Sequence, residues 1–170
     1  MRRFIARSAR LFPSIDPSWS AIPLRLIIGF GFVSHGYAKL ARGPDSFIGI
    51  LHALGMPAPS LLAWTTILVE VLGGLAILAG LLVPLTSVPM IFVLLVAIFT
   101  VHLPNGFSSI KLEAVTASGV RFGQPGYETD LLYIFGLITL IIVGSGPFAF
   151  DQTIAKRLSA EFSDISYSKR

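Results

Sequence analysis

Several ionisable residues sit inside or at the edge of long apolar runs. His35 and Lys39 lie four apart in a run that begins near Ala21, and Arg25 precedes them. Glu70 lies in the next run, followed by Gly73-Gly74. His102 closes a third, in Phe99-Thr100-Val101-His102-Leu103-Pro104-Asn105-Gly106-Phe107, and Tyr127-Glu128 with Asp130 opens a fourth. Imidazoles and carboxylates are the side chains that move protons near neutral pH, and burial tunes them. His35, Glu70, His102 and Glu128 are therefore the candidate catalytic groups. Arg25, Lys39, Phe99, Asn105, Tyr127 and Asp130 are candidates for holding a ligand. The chain has no cysteine, which removes thiolate catalysis, disulfides and cysteine metal sites together. It has no Gly-rich phosphate loop and no nucleophile motif. His35, His102, Glu128 and Asp130 are allowed metal-ligand types, but type alone is weak evidence. Two axial imidazoles for haem would also need a wide apolar cavity, which nothing marks. Neither metal nor haem is expected.

The elements that must position these groups are membrane helices. A soluble domain carries about 25% charged residues. This chain carries 13%, with 54% hydrophobic residues and a mean hydropathy of +0.78, too little charge to cover a water-facing surface. At 170 residues it reads as one domain. A net charge of +4 raises nucleic acid as a partner, but four of the thirteen basic residues stand in the first ten positions. Beside a membrane run, such residues set orientation and attract anionic lipid, so no nucleic-acid partner is expected. Residues 1–20 read as a basic interfacial segment, with Phe4, Ser8, Leu11 and Phe12 on one face and Arg2, Arg3, Arg7 and Arg10 supplying charge. It is not a convincing signal peptide, because the apolar run starts late and no small-residue cleavage site follows.

The four runs cover roughly 21–40, 60–82, 88–103 (extending back to Pro84) and 127–143. Strands rarely reach these lengths, and backbone in lipid must satisfy itself internally. The fold class expected is an all-α membrane protein: an antiparallel four-transmembrane-helix bundle over 21–147, with amphipathic N- and C-terminal interfacial helices. Between the first two runs, Phe47–Leu51 is too short to cross and reads as a surface-lying or re-entrant turn. Residues 104–127 read as a polar loop. Over 148–170, Asp151 is expected to cap a short helix presenting Ile154, Leu158 and Phe162 on one face, ahead of a polar tail. Lys156-Arg157 then lies with the N-terminal arginines, and the positive-inside rule makes both termini cytoplasmic.

With Tyr37 and Trp64 taken as outer belt residues, a rise of about 1.5 Å per residue puts Glu70 roughly 9 Å below the outer surface, His35 roughly 3 Å and Arg25 roughly 18 Å. Glu70 lies between the two in depth. A lone charge there costs about 2.5–3.5 kcal/mol even on insertion scales, so it needs a partner. Arg25 is the first expected partner and His35 the second. Arg25 snorkelling to inner phosphates and Glu70 acting only as bundle glue are the bland alternatives. His35, Lys39, His102, Asn105, Glu128 and Asp130 are expected to converge near the outer face, with Arg25 towards the inner one.

The same residues carry a resemblance. Leu24-Arg25-Leu26 through His35-Gly36-Tyr37-Ala38-Lys39-Leu40 resembles the opening helix of the DoxX family. Val69-Glu70-Val71-Leu72-Gly73-Gly74 with Ala79-Gly80-Leu81-Leu82 resembles its second. Phe99–Phe107 looks like its third-helix signature, and Gly126-Tyr127-Glu128 into Leu131-Leu132 its fourth. Val83-Pro84 departs from the pattern, since many relatives carry a basic residue in that loop. The resemblance implies a four-helix bacterial inner-membrane protein related to thiosulfate:quinone oxidoreductase and membrane redox complexes. It thereby implies a quinone as ligand and a redox protein or small reductant as donor. Such a site needs an apolar slot, for which Phe32, Phe99, Phe107 and Tyr133 are available, and proton donors, for which His35, His102 and Glu128 are available with Glu70 as relay. The alternative is a non-enzymatic anchor or scaffold, or a proton-coupled small-solute carrier, which at this size would work as a homo-oligomer.

Overall fold

The computed structural model describes residues 16–157 and 159. The expected basic face over Phe4–Phe12, the contributions of Leu158 and Phe162 to a C-terminal face, and the polar tail lie outside them. Asp16 accepts from the Ser18 amide and caps a short 3-10 turn, Pro17–Ser20. Helix α1 follows directly, Ala21–Ala41. Helix α2, Pro44–Ala53, starts after Gly43 (φ 88°) with proline in its first turn. Helix α3 is Pro59–Ala79, and α4 is Val83–Ala97, continued by a π-helical turn Ile98–His102 and a 3-10 turn Leu103–Asn105. Strands β1, Leu112–Thr116, and β2, Gly119–Phe122, form an antiparallel hairpin. Helix α5 is Glu128–Val143. A further helical stretch begins at 150.

Among the described residues, three helical segments are long and apolar enough to cross a membrane: Pro17–Ala41, Pro59–Ala79 and Val83–Asn105. Helix α5 has 16 residues and packs on α4 and α1. The shared core holds Ile28, Phe32, Ile77, Met90, Leu94, Ile134 and Leu137. Large apolar side chains on the opposite faces, such as Phe30, Leu72, Phe92 and Phe135, are exposed, as expected where lipid is the solvent.

Two expectations about the connections are corrected. The apolar stretch at Phe47–Leu51 is part of a ten-residue helix. Its Leu51 is buried, and the helix packs on α1 and α3. The 104–127 segment is no plain loop, because it holds the β hairpin.

The closest approach in the bundle is between α1 and α3, and glycine permits it. A Cβ built on Gly29 would stand 2.8 Å from the Gly74 carbonyl oxygen, and one on Gly74 would stand 2.7 Å from that of Gly29. A Cβ on Gly36 would meet Val71 at 2.6 Å and the Cβ of Glu70 at 3.1 Å. Adjacent Gly73 faces the other way, towards Met90 of α4. The Gly73-Gly74 pair thus serves two different neighbours, in the manner of small residues at membrane helix interfaces.

Candidate functional site

The glycine contacts fix the register of α1 against α3, and the register chooses the partner of Glu70. Gly36 faces Glu70 and Val71. Lys39 is one turn further on, and helical side chains lean back towards the N-terminus of their own helix. Lys39 Nζ therefore returns to Glu70 and donates to both carboxylate oxygens, at 2.7 and 2.6 Å. The same ammonium stands 5.1 Å above the ring of Phe47 on α2, within cation–π range. Glu70 is buried and Lys39 is half-buried.

This corrects both expected pairings, Arg25–Glu70 and His35–Glu70. Tyr37 and Trp64 stand at different depths. With Gly36 level with Glu70 and Val71, Trp64 lies about 8 Å, one and a half helical turns, beyond Tyr37 along the bundle, so the two are not one belt. His35 projects from the exposed side of α1.

Arg25 is buried without a carboxylate. Its Nε donates to the Ile77 carbonyl (3.0 Å) and Nη2 to that of Leu78 (2.7 Å). Nη1 reaches the carbonyls of Ser145 (3.0 Å) and Pro147 (3.3 Å). Ile77 and Leu78 lie in the last turn of α3, where carbonyls lack helical partners and the dipole is negative. Gly80 ends that helix in the left-handed region (φ 67°). A Cβ there would clash with Ala149 and with the Arg25 guanidinium. Arg25 is therefore a clasp between two chain segments. It neither snorkels to lipid nor offers a free face to a ligand.

Asp151 completes this end. Its carboxylate accepts from the amides of Leu82 (2.6 Å) and Val83 (3.2 Å), while its own amide donates to Gly80. It caps α4 and not its own helix, which corrects the expected cap. Leu82 sits in a left-handed conformation (φ 49°) with no side-chain cap of its own. The cap thus comes from 68 or 69 residues away.

At the other end, His102 pairs with Asp130. The turn Ile98–His102 is π-helical, with the Leu103 amide reaching back to Ile98. Thr100 Oγ1 donates to the Val96 carbonyl, and Pro104 has no amide to continue the ladder. Such wide turns recur at functional sites. His102 Nδ1 lies 2.5 Å from Asp130 Oδ2. Asp130 is buried on the inward stripe of α5 with Ile134 and Leu137, and His102 is partly exposed. Among the described residues, His102 Nε2 has no hydrogen-bond partner.

The remaining candidates scatter. Glu128 accepts from the Ser109 amide (3.0 Å), and Asn105 Nδ2 donates to the carbonyls of Val101 and Pro125. Both hold the root of the hairpin loop. Tyr127 stacks edge-on with Phe107 (5.6 Å). Phe99 points outward and is exposed. Phe32 and Tyr133 stack on each other at 5.8 Å in the core, so they close space there, where a slot was expected. The expected outer cluster is thus two separate side-chain pairs, the Lys39–Glu70 ion pair and the His102–Asp130 hydrogen bond, plus two loop anchors. Ser109, which also binds Thr129, was missed. Its only signal is its place beside the hairpin.

Comparison with protein families matches residues 20–103 to DoxX. An uncharacterized membrane protein of Mycobacterium tuberculosis is 30% identical over 161 residues, covering 86% of this chain and 94% of that protein. The chain belongs to the DoxX family. No solved structure matches it. The DoxX match ends at Leu103, directly after His102. It therefore includes Arg25, Lys39 and Glu70, while Asp130 falls in the part covered by the pairwise similarity alone. This DoxX chain is a membrane protein with several apolar helices suited to a bilayer.

Proposed function

We propose that this DoxX protein is the membrane subunit of a quinone-linked redox complex, with its proton-exchanging site at His102 and Asp130. The carrying observation is the hydrogen bond from His102 Nδ1 to Asp130 with Nε2 left unpartnered. A carboxylate that accepts from Nδ1–H fixes the tautomer and leaves the lone pair on Nε2. His102 then accepts one of the two quinol hydroxyl protons and the second passes to water at the membrane boundary, as the electron pair passes to an acceptor on a partner protein. It returns a proton when the flow reverses. The exposed Phe99, on the same π-helical turn, offers an apolar surface open to lipid, where a quinone tail resides.

In this reading α5 also crosses the bilayer, completing a bundle of four, and both termini face the cytoplasm of the inner membrane. The basic residues of positions 1–10 and Lys156-Arg157 support that orientation. Titration of a short-chain quinone into the detergent-purified protein, followed by tryptophan quenching, tests the site. Saturable binding is expected, weakened about tenfold or more in His102→Ala by loss of one hydrogen bond. Binding that is absent with or without co-purified partners, or unchanged in His102→Ala, would refute it.

The buried Lys39–Glu70 pair favours a second reading, a proton-coupled small-solute carrier. Uptake into proteoliposomes that is lost in Glu70→Gln would select it.

A further inference from the structure

The hairpin between α4 and α5 carries an apolar face that none of the described residues covers. Leu112 pairs with Phe122, and Val115 pairs with Val120. Residues opposite each other in a ladder project to the same side, and Val120 and Phe122 are two apart on one strand. Leu112 and Val115 are three apart and would ordinarily face opposite ways. The register shift between Leu112 and Ala114 inserts Glu113 as an extra residue and brings them back into phase. All four side chains are more than half exposed, as are Ile110 and Phe107 beside them. Ala114, Thr116 and Arg121 occupy the other face, and Arg121 there meets Glu113 at 3.5 Å.

We infer that this face lies on the outer leaflet of the bilayer, as a membrane-anchoring hairpin. Its root is tied to the ends of α4 and α5. The Tyr127 amide donates to Gly106, the Gly126 amide to Ser108 and the Gly123 amide to Lys111. Glu128 holds the Ser109 amide. The hairpin therefore stays within a few residues of the membrane boundary, and its apolar face continues the lipid-facing surface through Ile110 and Phe107. An isolated two-stranded hairpin is marginal in water, and a bilayer supplies the missing layer. Open strand edges exclude deep insertion, which places the side chains about 5–10 Å into the headgroup and acyl boundary. Lys111 and Arg121 stand off the apolar face, where cationic groups meet anionic headgroups. The inference rests on α4 and α5 both reaching one membrane face. It does not rest on redox chemistry.

The absence of cysteine makes the test direct. Single variants Val115→Cys, Val120→Cys, Ala114→Cys, Thr116→Cys and Leu132→Cys are spin-labelled in nanodiscs of phosphatidylethanolamine and phosphatidylglycerol. Accessibility to oxygen is then compared with accessibility to a water-soluble nickel chelate. At 115 and 120 the ratio is expected to favour oxygen severalfold over the ratio at 114 and 116, alongside lipid exposure at 132 on α5. Water exposure at 115 and 120 with lipid exposure at 132 overturns the anchoring hairpin. So does shielding of 115 and 120 from both reagents, the signature of a protein partner or a second copy. Water exposure at 132 overturns the four-span reading itself, and the hairpin's placement with it.

Discussion

Glu70 and Lys39 test what a membrane ion pair does. Each neutralises the other in an apolar setting, so removing one strands a charge. Glu70→Leu or Lys39→Met alone should cost about 3–5 kcal/mol, while the double variant should cost far less than their sum. Thermal unfolding of the purified protein in detergent reads all three. A double variant that is stable yet inactive would separate function from folding at this site. Arg25→Leu should be as severe, about 3 kcal/mol or more, since four carbonyl contacts lose a charged donor. Arg25→Lys should not rescue it, because a single ammonium cannot bridge Ile77–Leu78 and Ser145–Pro147 in place of the planar fork. The same unfolding measurement distinguishes the two.

Between elements, two contacts set the geometry. Gly74→Leu would force a side chain against the α1 backbone at Gly29 and Val33. The helices must part, and Lys39 should lose its grip on Glu70. A loss of more than about 2 kcal/mol is expected from overpacking alone. Unfolding midpoints for Gly74→Leu with and without Glu70→Leu should then show that the carboxylate no longer contributes. At the opposite end, Asp151→Ala removes the cap of α4 at a cost of about 0.5–2 kcal/mol. Hydrogen exchange should quicken at the Leu82 and Val83 amides, which Asp151 accepts from, and leave the α5 amides unchanged.

For the whole molecule, the arrangement is a bundle held at both ends by polar clasps. Arg25 and Asp151 bind backbone at one end, and His102–Asp130 joins α4 to α5 at the other. Reporter fusions after 105 and within 144–148 would fix the sidedness. Phosphatase activity is expected only from the first and cytoplasmic fluorescence only from the second. The reverse pattern would put His102 and the hairpin on the cytoplasmic side and remove the outer-leaflet placement.

Sequence alone determined the membrane class, the long apolar helices and the family, because each rests on local properties. Apolar run length decides whether a segment can sit in lipid, and Pro and Gly mark where it stops. The start of α1 and the end of α5 follow this logic almost to the residue. Sequence also picked out Glu70 as a carboxylate needing a partner. Tertiary structure decided which partner. Arg25, His35 and Lys39 lie on one helix, and choosing among them needs the offset of α1 against α3 to within a turn. That offset comes from where Gly29 and Gly74 let two backbones meet, a contact across 45 residues with no local trace. The hairpin escaped for a related reason: the extra residue at Glu113 breaks the alternation by which a strand is read. Asp151 escaped because a cap given to a distant helix leaves no pattern beside itself. His102 was visible as a residue at a helix end. Only the packing of α5 against α4 turned it into half of an acid–base pair.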